Sequence, residues 1–319
     1  DQINAFHRVL AVTWDAEASL RERLAAQGRL REILRWLWEA AAGPVLTAIG
    51  LIGQPKGTWP RVWWATGGML SLLPVHAAGY HSTTPDPEHR AVLDRVVSSF
   101  TPTLSALQYA RRRPPSRSAA DQTLIVAMPT TPGQQPLPEV AREALLLRDQ
   151  LPRPELLLDP APTRAAVLAA LEHCTVVHFA CHGDSDASDP SRSQLLLSDW
   201  EEAPLTVAAL APVNLDQARL AYLSACSTAV TRDTRLLDEA IHLSSAFQLA
   251  GFQHVVGTLW PINDNHAVQT AEAFYRRLAD EDGLATDQCA QALHNAVRAA
   301  REQWPGTVSL WGAYQHSGA

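Results

Sequence analysis

Two apolar runs of strand length, each stopping at a reactive side chain, constrain this chain more than anything else in it. Thr175 to Gly183 reads T-V-V-H-F-A-C-H-G, and Leu220 to Thr228 reads L-A-Y-L-S-A-C-S-T. Both are apolar, partly β-branched and closed by small or turn-forming residues, as strands buried on both faces of a sheet are. In an open parallel sheet, ligands and chemistry gather at the carboxyl ends of the strands. Neighbouring strands that end in His182 and Cys226 would set a base beside a nucleophile. A thiol reacts as its thiolate, and an adjacent imidazole can take the proton and later return it to a leaving amine. Gly183 has no Cβ, so it allows a sharp turn and a close approach to substrate. Its N–H, with that of Cys226, could hold an oxyanion.

A lone Cys or His at a strand end is ordinary packing. The pair gives the reading its weight, since both runs have the same form of buried strand, reactive residue and tight exit. Cys174, His178, Cys181 and His182 crowd into one short stretch, which raises a zinc site. Neighbours on a strand point to opposite faces and no second Cys/His cluster supplies further ligands, so no metal is expected. No phosphate-cradling Gly-rich loop or dinucleotide fingerprint is present, so no cofactor is expected either.

The rest of the chain falls into three segments. Residues 1–55 read as helical from Asp15 to about Ala42, with Leu20, Leu24, Leu30, Ile33, Leu34, Leu37 and Trp38 at three- and four-residue steps. Leu34, Trp36 and Trp38 make this helix apolar around much of its circumference, so it is either buried between elements or docked on a module outside the chain. The stretch from Arg29 to Leu51 carries more apolar surface than one docking face requires, which marks it as an interaction site. Residues 56–116 hold a strand at Arg61–Thr66 and a strand-and-helix pair from Ala91 to Arg113, closed by the linker R-R-R-P-P-S-R-S-A-A-D. Residues 120–319 alternate. Strands are expected at Thr123–Met128, Glu155–Asp159, Thr175–Cys181, Ala218–Cys226 and His254–Trp260. Helices are expected at Pro138–Gln150, Thr163–Glu172, Asp238–Ala250, Asn265–Asp280 and Thr286–Gln303. Such alternation demands right-handed crossovers and a parallel sheet covered by helices on both faces.

H-F-A-C-H-G at 178–183, L-S-A-C-S-T at 223–228 and A-G-F-Q-H-V-V-G-T-L-W-P-I-N-D at 250–264 resemble, in order and spacing, the signature blocks of the CHAT domain. This is a caspase-like cysteine peptidase family related to separases. W-W-A-T-G-G-M-L-S-L-L-P-V-H-A-A-G from Trp63 to Gly79 resembles the block that opens the domain, and the closing W-G-A-Y-Q-H-S-G its last strand. The resemblance runs from about residue 60 to the end. It implies a caspase-like three-layer α/β/α sandwich with a mostly parallel sheet, preceded by a smaller, catalytically silent caspase-like lobe. The 56–116 segment, which has no Cys, fits that lobe. His182 falls on the family's catalytic His and Cys226 on its nucleophile. Ser227 is shorter than the polar residue that often follows the nucleophile, and Asn265 stands where a second acid is common; both departures bear on substrate preference.

The activity so implied is endoproteolysis of a protein substrate. The resemblance also implies a latent state, released by an activating partner or by an upstream sensor or repeat module, in a bacterial defence or cell-death type pathway. The alternative is a catalytically silent docking or scaffold module. In these families arginines read an acidic P1 side chain and a carboxylate reads a basic one. The loops near the dyad offer Asp184, Asp233, Asp238, Glu239 and Asp264 against Arg232 and Arg235, which leans to a basic or neutral P1. Asp184, Asp233, Trp260 and Asp264 are the candidate substrate contacts, while Asp238 starts a helix and is a cap by default.

Composition excludes several classes. A net charge of −7 argues against direct nucleic-acid binding, which needs clustered Lys and Arg. The one basic cluster, Arg111 to Arg113, reads as solvated linker. The longest apolar stretch, Ala40 to Gly53, is short and broken by Gly43 and Pro44, so no membrane span is expected, and no basic-then-apolar leader opens the chain. Four irregularly spaced cysteines give no disulfide framework, and a dyad thiol needs reducing surroundings, so the expected location is cytoplasmic. A start at Asp1 without Met is expected of a portion of a longer protein.

Overall fold

The computed structural model describes every residue except 1, 16, 83–85, 113–121, 185, 187–188, 211, 214, 216, 225–242 and 282. Two helices lead, α1 (Gln2–Trp14) and α2 (Leu20–Leu37), and they pack on each other. Ser19 starts α2 with a capping box: its side chain accepts from the Glu22 N–H, and Glu22 accepts from the Ser19 N–H at 2.7 Å. A π-helical turn (Trp38–Ala42) then passes into α3 (Gly43–Ala48). Gly43 is required there, because a Cβ would lie 2.9 Å from the Trp38 indole.

Leu30, Ile33, Leu34, Leu37, Trp38, Ala42 and Leu46 are all buried in the main core. The Trp- and Leu-rich segment is therefore packed between elements of this chain, and its stripe is not an open docking face. The reason is geometric: steps of three and four put these side chains on one side of the helix, where α1, the turn at Val75–Ala77 and the short helix Val308–Trp311 pack against α2. A buried polar pair fixes the helix, as Gln27 Nε2 donates to Ser309 Oγ at 2.6 Å and the Ser309 N–H donates to Gln27 Oε1 at 3.2 Å. Val45, Ile49 and Ile52 remain exposed.

The following elements are β1 (Arg61–Trp64), β2 (Val97–Phe100), α4 (Leu104–Arg111), β3 (Thr123–Ala127), α5 (Val140–Gln150), β4 (Pro154–Leu158), α6 (Arg164–Leu171), β5 (Val176–Ala180) and β6 (His182–Asp184). Then come β7 (Gln194–Leu196), β8 (Leu205–Thr206), α7 (Val207–Leu210), β9 (Leu220–Leu223), α8 (Leu243–Ala250), β10 (His254–Thr258) and α9 (Asp264–Leu278). The chain closes with β11 (Ala279–Asp280), β12 (Gly283–Leu284), α10 (Cys289–Gln303), α11 (Val308–Trp311) and β13 (Tyr314–Gly318). Among the described residues eight strands form one sheet in the order β1-β2-β13-β10-β9-β5-β3-β4, and every neighbouring pair is parallel except β10 with β13. The 56–116 segment supplies β1 and β2, which extend this sheet by way of the last strand. No helix among the described residues is long and apolar enough to cross a membrane.

Strand alternation divides the core in two. Ile125, Ala127, Val176, Ala180, Leu220 and Tyr222 face α5, α9 and α10, while Leu124, Val126, Val177, Phe179, Ala221 and Leu223 face α6 and α8. Because β3, β5, β9 and β10 run parallel, their carboxyl ends share one edge, and His182 and Ser224 emerge there.

Leu34, wholly buried in α2, reports whether the leading helices are part of the core. Leu34→Ala is expected to lower unfolding free energy by about 2–5 kcal/mol in a urea titration. A loss under about 0.5 kcal/mol, usual for surface sites, would mean that α2 is an appendage.

Candidate active site

The chain leaves the large sheet at Cys181 and enters a second, three-stranded antiparallel sheet, β6-β7-β8, in which His182 stands opposite Leu196. The bend thus falls at Cys181; Gly183 lies inside β6, opposite Leu195. His182 is half-buried, and its Nε2 lies 2.7 Å from the Gln135 carbonyl oxygen. A carbonyl only accepts, so Nε2 carries the proton and the Nδ1 lone pair is left as the basic site. Gln135 reaches this position because the loop after β3 folds back on itself, with the Gln134 N–H donating to Thr131 O and the Leu137 N–H to Pro129 O.

Beside the strand ends lies a small cleft of about 20 Å³ lined by Leu137, Val140, Glu143, Ser224, Ile262, Asp264 and Ala267. Asp264 is the first residue of α9, but Asn263 caps that helix by accepting from the His266 N–H at 3.4 Å. Burial raises the Asp264 carboxyl above its ordinary range; the charge of His182 works the other way, and Glu143 and Glu139 add to the rise. Glu143, on α5, is 2% exposed. Its Oε1 accepts from Ser224 Oγ at 3.1 Å and from His178 Nε2 at 3.1 Å, and His178 Nδ1 lies 3.3 Å from the Tyr275 hydroxyl.

His182 and Asp264 are thus brought together. Trp260 is not with them: it is 2% exposed, its indole N–H donates to Ser309 O at 2.8 Å, and its ring meets Phe6 edge-on at 5.6 Å. The assignment of Trp260 as a substrate contact is therefore corrected, because a buried indole must satisfy its N–H and here does so inside the core. Asp184 is exposed at the end of β6. Cys226, Asp233, Asp238 and Glu239 lie outside the described residues. Cys174 and Cys181 are buried on the α6 and α8 face, whereas His178 is on the other. Burial pushes the Cys174 thiol up to about 12 and raises that of Cys289 further.

Gln135, Glu143, Ser224 and Tyr275 were not evident as site residues. A backbone carbonyl has no side-chain signature, so Gln135 could not have been found. Glu143 could: it sits with Val140, Ala144 and Leu147 on the apolar stripe of its helix, where a carboxylate is out of place.

A model of the CHAT domain matches residues 31–319. The chain belongs to the CHAT-domain family. No curated protein matches it at a significant level. Among solved structures, separase in the Saccharomyces cerevisiae separase–securin complex is similar over 81% of this chain at 13% identity and a TM-score of 0.56. The match spans only 15% of the separase chain. The complex of the pro- and mature domains of Porphyromonas gingivalis RgpB is similar over 99% of this chain and 75% of its own, at 10% identity and a TM-score of 0.50. The Arg-specific cysteine proteinase gingipain R is similar over 95% of this CHAT domain and 68% of its own chain, at 9% identity and a TM-score of 0.50. At these identities the likeness establishes the fold, a mostly parallel caspase-like α/β sheet.

Asp264 gives this site a signature in stability. A carboxyl whose folded pKa is raised favours the fold when protonated, and that contribution fades as pH rises through the folded value. Asp264→Asn in this CHAT domain is therefore expected to raise the melting temperature at about pH 7.5 and leave it unchanged at about pH 3, where both forms are neutral. Calorimetry at the two pH values checks this; a fall at the higher pH would mean that His182 more than offsets the burial.

Proposed function

We propose that this CHAT domain is a cysteine endopeptidase with Cys226 as nucleophile and His182 as base. The observation that carries the reading is the Gln135 carbonyl on His182 Nε2, which leaves Nδ1 as the base at the edge where β9 leads toward Cys226. Cys226 Sγ adds to the scissile carbonyl carbon as its proton passes to His182, and the amides of Gly183 and Cys226 hold the oxyanion. Collapse expels the amine, which takes the proton from His182, and leaves a thioester. Water, deprotonated by the same nitrogen, then releases the acid and restores the thiol.

The P1 side chain is basic. Asp264 and Glu143 line the same cleft, and no Lys or Arg is among its described lining residues. Gingipain R is Arg-specific, in keeping with this reading. Asp184, exposed at the end of β6, and Asp233 are further candidate contacts at the loops. The protease works in a reducing compartment, the cytoplasm, where its thiol stays free. Its activity is latent and released by a protein partner or an upstream sensor module, in a defence or cell-death type pathway, as the family resemblance implies.

Cleavage of fluorogenic peptides with Arg, Lys, Leu or Asp at P1 tests the reading. Cys226→Ala and His182→Ala are each expected to lower turnover by ~10³-fold or more with cooperative unfolding retained. Cys174→Ala, Cys181→Ala and Cys289→Ala should keep most activity; a folded Cys181→Ala as inactive as Cys226→Ala would refute the dyad. Asp264→Asn should lower kcat/KM on the Arg peptide by about 2 kcal/mol, some 30-fold, and leave the Leu peptide within about twofold. Latency predicts slow turnover by the chain alone, so a rate above about 1 s⁻¹ on its best peptide would rule out that part.

A further inference from the structure

We infer that Glu143, His178 and Ser224 form a positioning device for the nucleophile: a buried relay that fixes the exit of β9 two residues before Cys226. The inference rests on the proposed assignment of Cys226 and His182. Among the described residues Glu143 is the only buried carboxylate, and it lies on the face of α5 that carries Val140, Ala144 and Leu147 into the core. A carboxylate so placed needs full hydrogen bonding to be tolerated. Two such bonds converge on Oε1, which accepts from the Ser224 hydroxyl and from His178 Nε2–H.

The relay extends away from the edge into the core. With Nε2 donating, His178 Nδ1 accepts from the Tyr275 hydroxyl on α9, and burial raises the Tyr275 phenol well above its usual range, which keeps it a donor. The His178 ring stacks on Tyr222, its cross-strand partner on β9, with centroids 4.9 Å apart and planes at 21°. Each member of the relay is therefore held by a separate element: Glu143 by α5, His178 by β5, Tyr275 by α9, Ser224 by the end of β9.

Ser224 is the point of delivery. Its backbone N–H donates to Phe179 O at 2.8 Å, continuing the ladder between β5 and β9, and its side chain is tied to α5. A residue fixed through both its backbone and its side chain limits where the following chain can start. Misplacing a reacting group by about 1 Å can cost 10²-fold in rate, so fixing this exit is worth a buried charge. Glu143 and Ser224 also line the cleft beside Asp264, which puts the relay directly behind the pocket proposed for P1.

The experiment compares Ser224→Ala, Ser224→Thr, Glu143→Gln and Tyr275→Phe with the native chain. It measures kcat and KM on the best basic-P1 peptide, and the iodoacetamide alkylation rate of Cys226 by mass spectrometry. Ser224→Ala is expected to lower kcat by ~10–100-fold with KM within about twofold, and to change the Cys226 alkylation rate at least about threefold. Ser224→Thr, which restores the hydroxyl, should recover most of both. Glu143→Gln still offers an oxygen to both donors and should lose less than Ser224→Ala; Tyr275→Phe should shift kcat in the same direction by a smaller factor. A folded Ser224→Ala variant with kcat and alkylation within twofold of native overturns the inference while leaving the dyad standing. If native Cys226 is alkylated no faster than Cys174 or Cys289 and no peptide is cut, the dyad falls and the relay falls with it.

Discussion

A parallel strand buried on both faces has only its ends free for chemistry, and the rest of this molecule follows from that. Every residue of β3, β5, β9 and β10 is buried, and helices close both faces. A polar group within those strands must find its partners in the core, as His178 does. A group that is to meet solvent and substrate has to wait until the strand has ended. His182 meets this condition by a change of sheet: one residue after β5 the backbone bends and pairs with β7 instead. The ring is then oriented by the backbone carbonyl of Gln135, which a side-chain substitution cannot remove.

The core beneath this edge is less apolar than stability alone would choose. Replacing buried ionic or polar clusters by well-packed apolar residues is often neutral or stabilising, whereas removing one member is costly. Glu143 and His178 occupy such a site between α5 and β5, flanked by Tyr222, Tyr275 and Phe274. Directional contacts are what polar groups offer and apolar packing does not. Here they run from α9, through β5 and α5, to Ser224, the residue after β9, so the exit of that strand is fixed by hydrogen bonds as well as by volume.

Much of the fold was legible in the sequence because buried strands and amphipathic helices write different periods. The strand expected at Thr175–Cys181 is Val176–Ala180, and the helix expected at Pro138–Gln150 is Val140–Gln150. What escaped was non-local. Trp260 reads as a pocket wall at a strand exit, yet its indole is claimed by Ser309, 49 residues later. The stripe of Leu30, Leu34 and Trp38 reads as core or as docking face, and only the packing of α1 and α11 against it decides. Of the candidate site, His182 and Asp264 were readable from their motifs, and Glu143 from its wrong place on an apolar stripe. Gln135 acts through its backbone, and Cys226 and Asp233 lie outside the described residues.

The start of α9 shows how a carboxylate is kept available at such an edge. An acid at a helix N-terminus is ordinarily absorbed by the orphan N–H groups of the first turn, which would lower its pKa and turn it away from a cleft. Asn263 takes that duty by capping the His266 N–H, and Asp264 follows it with its carboxyl on the cleft wall. Burial there outweighs whatever the helix end provides, since the carboxyl is raised and not lowered. Such a group is under-solvated until a cation arrives. That makes it costly in the resting fold and, under the proposed reading, selective for a basic side chain, because only a positive charge restores what burial took away.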